Sequence, residues 1–417
     1  MPGVSPQSEI TAGAKRVAAG GQELYPAPEA ASPRRPRYDY MDSLRATLII
    51  AGVFFHAALP YRTVGHWNVQ EARGAVGFDY LTSALTLFRM ATFFMVAGFF
   101  CALTFSLHKA SANLRRRLMV FGVPLLTFVV TIQPIQFALR WSNEHPTGGA
   151  SSSGSPEFWR AYFATGAFIS HLWFLVNLIV YYIVVRGAME LLEHFPRLRE
   201  GSLRLLRSLP GKILRSKTAL SFASVALLEP WIHLVSHWIP VVPGLDAAEL
   251  LAYLPFFLVG FLLYKSPEAL DDFCVVRLED FLVLFGGIGL LSSGWMAGHF
   301  LHELLLACIS WQAAWTVGGG LLSVFRRWFN VESPAARAVS DASYTIYLFH
   351  HLVVIVLATT FLGTAMPGGV AVKYTIVVVL TCMATFALHH YVIRKSMFLS
   401  KLFNGRPVPP ATARTGR

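Results

Sequence analysis

An arginine and a histidine in the first apolar segment have the clearest chemical potential in this sequence. Arg45 and His56 lie eleven residues apart, and three helical turns take about 10.8 residues. The two side chains therefore share one helix face, roughly 16 Å apart along the axis, with Gly52 leaving room one turn from His56. Histidine exchanges protons near neutral pH, and arginine binds anions. A structural interpretation is also open: Arg45 can pair with Asp42, and His56 can be a hydrogen-bonded core residue.

A second arginine lies within the next apolar segment. Arg89 is about nine residues from the N-terminal end of that segment, which is its outer end in the orientation predicted below. This corresponds to roughly 13 Å into a membrane-spanning helix. A charged side chain at that depth usually faces a partner or a water-filled cavity, because exposure to lipid is costly. We therefore predict an internal anion site at Arg89. The alternative is a structural arginine bonded to helix carbonyls or to Glu229.

Polar and aromatic side chains cluster in two later apolar segments. His171 and Trp173 open the fourth segment, and Tyr347 and His350 lie in the ninth. Residues of these types often form hydrogen bonds between helices, and a place in a functional site is the other interpretation. The sequence predicts no metal site, because neither an HExxH motif nor a CxxC pair accompanies its histidines and its four cysteines.

The elements that must position these residues are membrane-spanning helices. Hydrophobic residues make up 54% of the 417-residue chain and charged residues 14%, whereas a soluble domain has about 25% charged residues. Apolar runs near the roughly 20 residues that cross a bilayer recur along the chain. We predict an all-α, polytopic transmembrane helix bundle of about ten spans: 43–60, 80–107, 118–139, 168–193, 219–239, 247–264, 280–299, 302–325, 342–363 and 371–393.

The placement of charge predicts the orientation of this bundle. Most of the 35 lysines and arginines fall in alternate connections and in the two tails. Because basic connections stay in the cytoplasm, both termini are predicted to be cytoplasmic. We expect a disordered tail over 1–37, the bundle over 38–405 and a second cytoplasmic tail over 406–417. The outer connection at 140–167 is a lid or a linker, and its Gly- and Ser-rich part favours a linker.

Several ordered motifs resemble the membrane-bound acyltransferase family 3. The spacing of Arg45 and His56 is similar to the signature of its first span. Three more motifs match later spans: 88–100 (FRMATFFMVAGFF), 170–175 (SHLWFL) and 342–351 (ASYTIYLFHH). Other segments resemble a subgroup that succinylates osmoregulated periplasmic glucans in Gram-negative bacteria: 40–45 (YMDSLR), 253–260 (YLPFFLVG) and 402–408 (LFNGRPV).

The resemblance implies an enzyme of the bacterial inner membrane that moves an acyl group from cytoplasmic acyl-CoA to hydroxyls of a periplasmic glucan. Succinyl-CoA would be the co-substrate, with no bound cofactor. His56 would act as general base. Since Arg89 lies in the outer half of its span, as His56 does, we infer that it binds the succinyl carboxylate. The CoA phosphates would be held by Arg45 and by a block that departs from the family's RxxR pair: Arg115, Arg116 and Arg117. Contacts to the acceptor, or support of the site, are implied for Asp42, His171, Trp173, Tyr347 and His350.

Two other functions stay open at this point. One is acetyl transfer to another glycan of the cell envelope. The other is a transporter or flippase for a glycan, since intramembrane arginine and histidine also suit a transport path; no repeated halves with broken helices are visible, however. The net charge of +12 does not indicate a nucleic-acid partner, because the basic residues lie between apolar runs.

The predicted orientation is tested with topology reporters. A reporter fused after Pro156 is expected in the periplasm, and one fused after Arg207 in the cytoplasm, because their connections differ in basic charge. Activity of a periplasm-dependent and a cytoplasm-dependent reporter is measured at both positions. Finding both fusions on the same side of the membrane contradicts the ten-span topology.

Overall fold

The described part of the chain is a helical bundle. The computed structural model describes residues 38–65, 67–107, 110–145, 152–201, 211–239, 242–293 and 301–405, and the chain from Tyr38 onward forms one compact unit. Its described residues contain helices and a single isolated bridge between Val242 and Leu245, with no strand. The predicted all-α fold is thereby confirmed, whereas the tails predicted at 1–37 and 406–417 lie outside the described residues.

The helices are numbered here in chain order. They are α1 (Asp39–Ala58), α2 (Val76–Leu107), α3 (Ala110–Thr131), α4 (Gln133–Glu144), α5 (Pro156–Ala164), α6 (Trp173–His194), α7 (Gly211–Arg215), α8 (Lys217–Trp238), α9 (Ala247–Lys265), α10 (Pro267–Phe273), α11 (Leu278–Ser292), α12 (Leu301–Trp328), α13 (Pro334–Phe361), α14 (Gly369–Ala387) and α15 (Met397–Asn404). A π-helical turn (Leu388–Val392) and a 3₁₀ turn (Ile393–Lys395) join α14 to the segment before α15.

Nine helical stretches of the described residues are long and apolar enough to cross a membrane. They correspond to nine of the ten predicted spans. The remaining predicted span, 280–299, corresponds to α11, which ends at Ser292, and residues 294–300 lie outside the described part. A multi-pass membrane protein is thus supported, and the tenth span stays a prediction.

Most predicted spans differ from the helices by a few residues at their ends, and two of the differences have a clear local cause. The third predicted span is split into α3 and α4, because Pro134 stands in the first turn of α4, where its missing N–H interrupts the helix ladder. The ninth begins at Pro334 rather than at residue 342, because the Ser333 side chain caps the helix by accepting from the Ala336 N–H. The earlier start of α13 brings Ser340 into the bundle.

The connection at 140–167, which the sequence predicts to be on the outer side, contains a packed helix. Residues 146–151 lie outside the described part, so the linker predicted for the Gly- and Ser-rich stretch is not tested there. After it, α5 buries Phe158 and Tyr162 against Phe137 of α4. The Tyr162 hydroxyl donates to the Val129 carbonyl at 2.9 Å. From residue 156 onward this connection is therefore held against the bundle.

Helix α1 lies at the centre of the packing that matters for the site. It contacts α2, α12, α13 and α14. Its buried side chains include Leu44, Leu48 and Val53. With neighbours on several sides, α1 can direct one polar face into the protein without exposing that face to lipid.

The crossing of α2 and α9 brings two backbones into direct contact. A Cβ added at Gly98 would overlap the Phe257 carbonyl, and one added at Gly260 would overlap the Met95 carbonyl. Small residues allow this close approach between membrane helices. The two glycines therefore fix how far α2, which carries Arg89, lies from its neighbour.

Replacing one of these glycines tests the crossing. Gly98→Ala is expected to destabilise the protein by about 1–3 kcal/mol, because the added methyl group forces two backbones apart. Thermal unfolding in detergent measures the effect. The matched control is Gly187→Ala in α6, where an added Cβ meets nothing within 4 Å. Equal melting temperatures for the two variants contradict the close crossing.

Candidate active site

Arg45 lines a cavity of about 420 Å³, called here the Arg45 chamber. Its Nη2 donates to Asp42 Oδ1 at 3.0 Å and to Ser340 Oγ at 2.9 Å. The guanidinium also lies 5.3 Å from the centre of the Phe100 ring. The pairing with Asp42 that the sequence suggested is present. Arg45 still lines the chamber while it is paired.

Three arginines converge on the Arg45 chamber, and only one of them comes from the predicted block. Arg117 and Arg394 join Arg45 in lining it. Arg117 donates to Thr104 Oγ1. The neighbours of Arg117 on α3, Arg115 and Arg116, are exposed and do not line the chamber. Consecutive residues on a helix point in different directions, so α3 can turn one of the three arginines inward.

His389 and Asn404 also line the chamber, although the sequence did not single them out. Thr345 Oγ1 donates to Asn404 Oδ1 at 3.1 Å and lies 2.8 Å from His389 Nδ1. His389 sits in the π-helical turn after α14, and Asn404 ends α15. Gly405 packs so closely that a Cβ there would overlap the Val120 backbone. The 402–408 segment contained the signal for Asn404, whereas no motif pointed to Arg394.

A second cavity of about 240 Å³ is called here the His56 chamber. Four side chains, from α1, α2, α6 and α13, line both chambers: Ile49, Phe93, Phe174 and Tyr347. This shared wall is called the neck. The Tyr347 hydroxyl donates to the His171 carbonyl at 2.9 Å, which fixes Tyr347 in the neck. The two chambers thus adjoin end to end along the face of α1 that carries Arg45 and His56.

The His56 chamber brings together most of the predicted site residues. In addition to His56 it is lined by Arg89, His171, Trp173, Tyr347 and His350. Glu249 and Tyr253 of α9 line it as well, although the sequence did not assign them a role. Trp173 stacks on Tyr253 with ring centres 5.6 Å apart. The only sequence signal for Tyr253 was its place at the start of the 253–260 segment.

Four imidazole rings form a compact cluster beside this chamber. The centre of the His56 ring lies 5.0 Å from that of His350 and 5.1 Å from that of His351. His171 stacks on His351 at 4.5 Å. Within the described residues, no group of three or more potential ligands is arranged to hold a metal ion.

Carbonyl partners fix the tautomers of three of these rings. His350 Nδ1 lies 2.7 Å from the Tyr347 carbonyl, and His171 Nε2 lies 3.1 Å from the Leu348 carbonyl. His351 Nδ1 lies 2.5 Å from Gln136 Oε1. Since these oxygens only accept, each of these ring nitrogens carries the proton. The other nitrogens of the three neutral rings are left as acceptors close to His56.

The connection between α1 and α2 covers the cluster. Its Trp67 lies against His351 with ring centres 5.3 Å apart. A buried ion pair holds this connection to α14: Lys373 Nζ lies 2.7 Å from Glu71 Oε2, with 5% and 10% of the two side chains exposed. Lys373 is thus paired within the protein and has a structural role.

Arg89 reaches from α2 towards α1. Its guanidinium lies 4.8 Å from the centre of the Phe55 ring. Its Nη1 is 3.1 Å from the position that a Cβ on Gly52 would take. The proposed structural partner Glu229 instead accepts from Trp311 Nε1 at 2.6 Å. The structure therefore places Arg89 at the wall of the His56 chamber and not in an ion pair with Glu229.

Comparison with known proteins identifies the relatives of this architecture. The family model described as an acyltransferase domain matches residues 38–390. Curated relatives named "Glucans biosynthesis protein C", from Salmonella gallinarum, Salmonella typhi and Salmonella typhimurium, are each 25% identical to the chain. The matched segment covers 76% of this chain and 82% of each relative. No solved structure matches the chain significantly.

Proposed function

The chain belongs to the acyltransferase domain family, and we propose that it transfers a succinyl group from succinyl-CoA on the cytoplasmic side to hydroxyls of a periplasmic glucan. The inner membrane of a Gram-negative bacterium is the location consistent with this proposal. The glucan acceptor is supported by the name of its relatives. The succinyl group is supported by the resemblance of residues 40–45, 253–260 and 402–408 to the subgroup that succinylates glucans.

The proposal depends mainly on one observation: the two chambers adjoin at the neck and have different chemistry. The Arg45 chamber carries three arginines, which suit the phosphates of a nucleotide-containing donor. The His56 chamber carries histidines and aromatic side chains, which suit a hydroxyl acceptor. A pantetheine arm is long and thin, and it would place its thioester at His56 while the phosphates stay among the arginines.

The chemistry assigned to His56 is general acid–base catalysis. Its neutral imidazole takes the proton from the acceptor hydroxyl as the hydroxyl oxygen attacks the thioester carbonyl. Collapse of the tetrahedral intermediate breaks the carbon–sulfur bond, and the imidazolium returns the proton to the leaving thiolate. The products are the glucan ester and free CoA.

A turnover assay on purified protein tests the proposal directly. The protein in detergent is given succinyl-CoA and a short linear glucan, and both free thiol and glucan mass are followed. Release of CoA together with a succinyl mass increment on the glucan supports the proposal. A transporter would consume no thioester. Wild-type protein that leaves succinyl-CoA intact in the presence of glucan refutes the proposed function.

The first expected outcome concerns the base. His56→Gln is expected to lower kcat by about 10²- to 10⁴-fold, the usual contribution of a positioned general base. The matched control is His233→Ala, because His233 is exposed on α8 and does not line either chamber. A folded His56→Gln protein with a wild-type kcat would show that His56 is not the base.

The second expected outcome concerns the donor phosphates. Arg117→Gln is expected to raise the KM for succinyl-CoA about tenfold, since it removes charge-assisted hydrogen bonds. It should leave the KM for succinyl-pantetheine, which lacks phosphates, unchanged. Arg116→Gln is the matched control, because Arg116 is the exposed neighbour. Equal effects of Arg117→Gln on both donors would contradict phosphate binding by Arg117.

A further inference from the structure

We infer that Arg89, set against Gly52, is the subsite that binds the terminal carboxylate of the acyl group and makes the enzyme selective for a dicarboxylic acyl thioester. This inference rests on the proposed function and goes beyond it, because it names the residues that distinguish succinyl from neutral acyl groups. A neutral acyl chain has no charge at the corresponding position.

The first support is that Arg89 has no anionic partner in the part of the chain that the structure describes. Among the described residues, no carboxylate forms an ion pair with its guanidinium, and its buried Nε has no hydrogen-bond partner. Glu249 lines the same chamber without pairing with it. A positive charge inside a membrane helix bundle is costly unless it is compensated. An anionic ligand group supplies that compensation when the donor is bound.

The second support is the place of Arg89 relative to His56. The tip of Arg89 lies beside Gly52, four residues before His56 on α1, which corresponds to about 6 Å along the helix axis. Helical side chains lean towards the N-terminus, so the His56 ring leans towards Arg89. When the thioester carbonyl lies at His56, a carboxylate two methylene groups further along the acyl chain can therefore reach Arg89.

The third support is the separation of the other arginines from this chamber. Arg45, Arg117 and Arg394 line the Arg45 chamber and do not line the His56 chamber. The neck lies between the two sets. Arg89 therefore faces the acyl end of the donor, while the other three face its phosphate end. A role in phosphate binding is assigned to the three arginines that share one cavity.

The surroundings of Arg89 also suit a short aliphatic chain with a charged end. Phe55, Met90 and Phe93 line the His56 chamber beside it, and apolar walls of this type bury methylene groups favourably. The planar guanidinium can bind a carboxylate through two parallel hydrogen bonds. Stacking on Phe55 at 4.8 Å holds that plane in a fixed orientation. Chamber and guanidinium together are complementary to a succinyl group.

A role of Arg89 in stabilising the oxyanion of the tetrahedral intermediate is the competing explanation. That oxyanion forms from every acyl thioester, whatever the end of its acyl chain. Loss of an oxyanion contact therefore lowers transfer of all acyl groups equally. Loss of a carboxylate contact lowers only the transfer and binding of the dicarboxylic thioester. The two roles are separated by comparing succinyl-CoA with butyryl-CoA, in which a methyl group replaces the carboxylate.

The experiment measures the Kd and the transfer rate of both thioesters on purified protein, with binding followed in the absence of acceptor. Wild-type protein is expected to bind succinyl-CoA roughly 30-fold more tightly than butyryl-CoA, as a buried charge pair implies. In Arg89→Gln that ratio should fall to near one while butyryl transfer persists. Arg186→Gln is the matched control, since Arg186 is another partly buried arginine within an apolar helix and is paired with Glu190 at 2.5 Å.

A second variant keeps the test informative if Arg89→Gln does not fold. Gly52→Ala places a methyl group 3.1 Å from Arg89 Nη1, so the guanidinium must shift by a few tenths of an ångström. It is expected to lower the preference for succinyl-CoA over butyryl-CoA several-fold. Gly187→Ala is its control, because an added Cβ there meets nothing within 4 Å.

The outcomes separate this inference from the proposed function. If folded Arg89→Gln loses succinyl and butyryl transfer equally, or keeps the wild-type preference, the carboxylate subsite is refuted while the acyltransferase remains. If Gly52→Ala also keeps the full preference, the role of Gly52 is refuted too. If wild-type protein transfers neither acyl group to a glucan, the proposed function itself fails.

Discussion

Inside a bilayer, backbone N–H and C=O groups must be satisfied within the chain, and this constraint leaves helices as the means of placing chemistry in the membrane. A catalytic side chain here is placed by its position along a helix and by the rotation of that helix. Helix α1 satisfies both conditions for two residues at once, since Arg45 and His56 share a face. The two chambers and the neck follow that face from one end to the other.

The packing around α1 decides how open that face is. Where α2 and α9 cross at Gly98 and Gly260, their backbones touch, and α2 carries Arg89 towards α1. On another side α13 supplies Tyr347 to the neck and His350 to the cluster. The connection after α1 closes over the cluster and is held by the Lys373–Glu71 pair. Close helix contacts thus surround the two chambers and the neck, and they do not fill them.

The charged side chains inside the bundle are compensated to different degrees. Lys373 and Arg186 are paired with carboxylates of the protein. Lys217, which is fully buried, donates to the Leu214 and Val275 carbonyls. Arg89, in contrast, has an aromatic ring beside it and no ion pair among the described residues. A charge that the protein leaves uncompensated beside a cavity is the one suited to a charged ligand.

The sequence alone determined the helical class, the approximate spans and the shared face of Arg45 and His56, because these follow from hydropathy and from the period of a single helix. It also found Arg89, since a charge within an apolar run is visible without neighbours. Only the tertiary structure selected Arg117 over Arg115 and Arg116, because the rotation of α3 is set by what it packs against.

The contacts of Asn404, of His389 and of Gln136, which orients His351, could not be predicted from the sequence either. Their partners lie far away in the chain, at separations from 44 to 215 residues. Contacts over such separations depend on how helices cross, and a crossing is fixed by side-chain volumes on two helices at once. No periodicity within one segment contains that information, and for that reason the tertiary structure had to supply it.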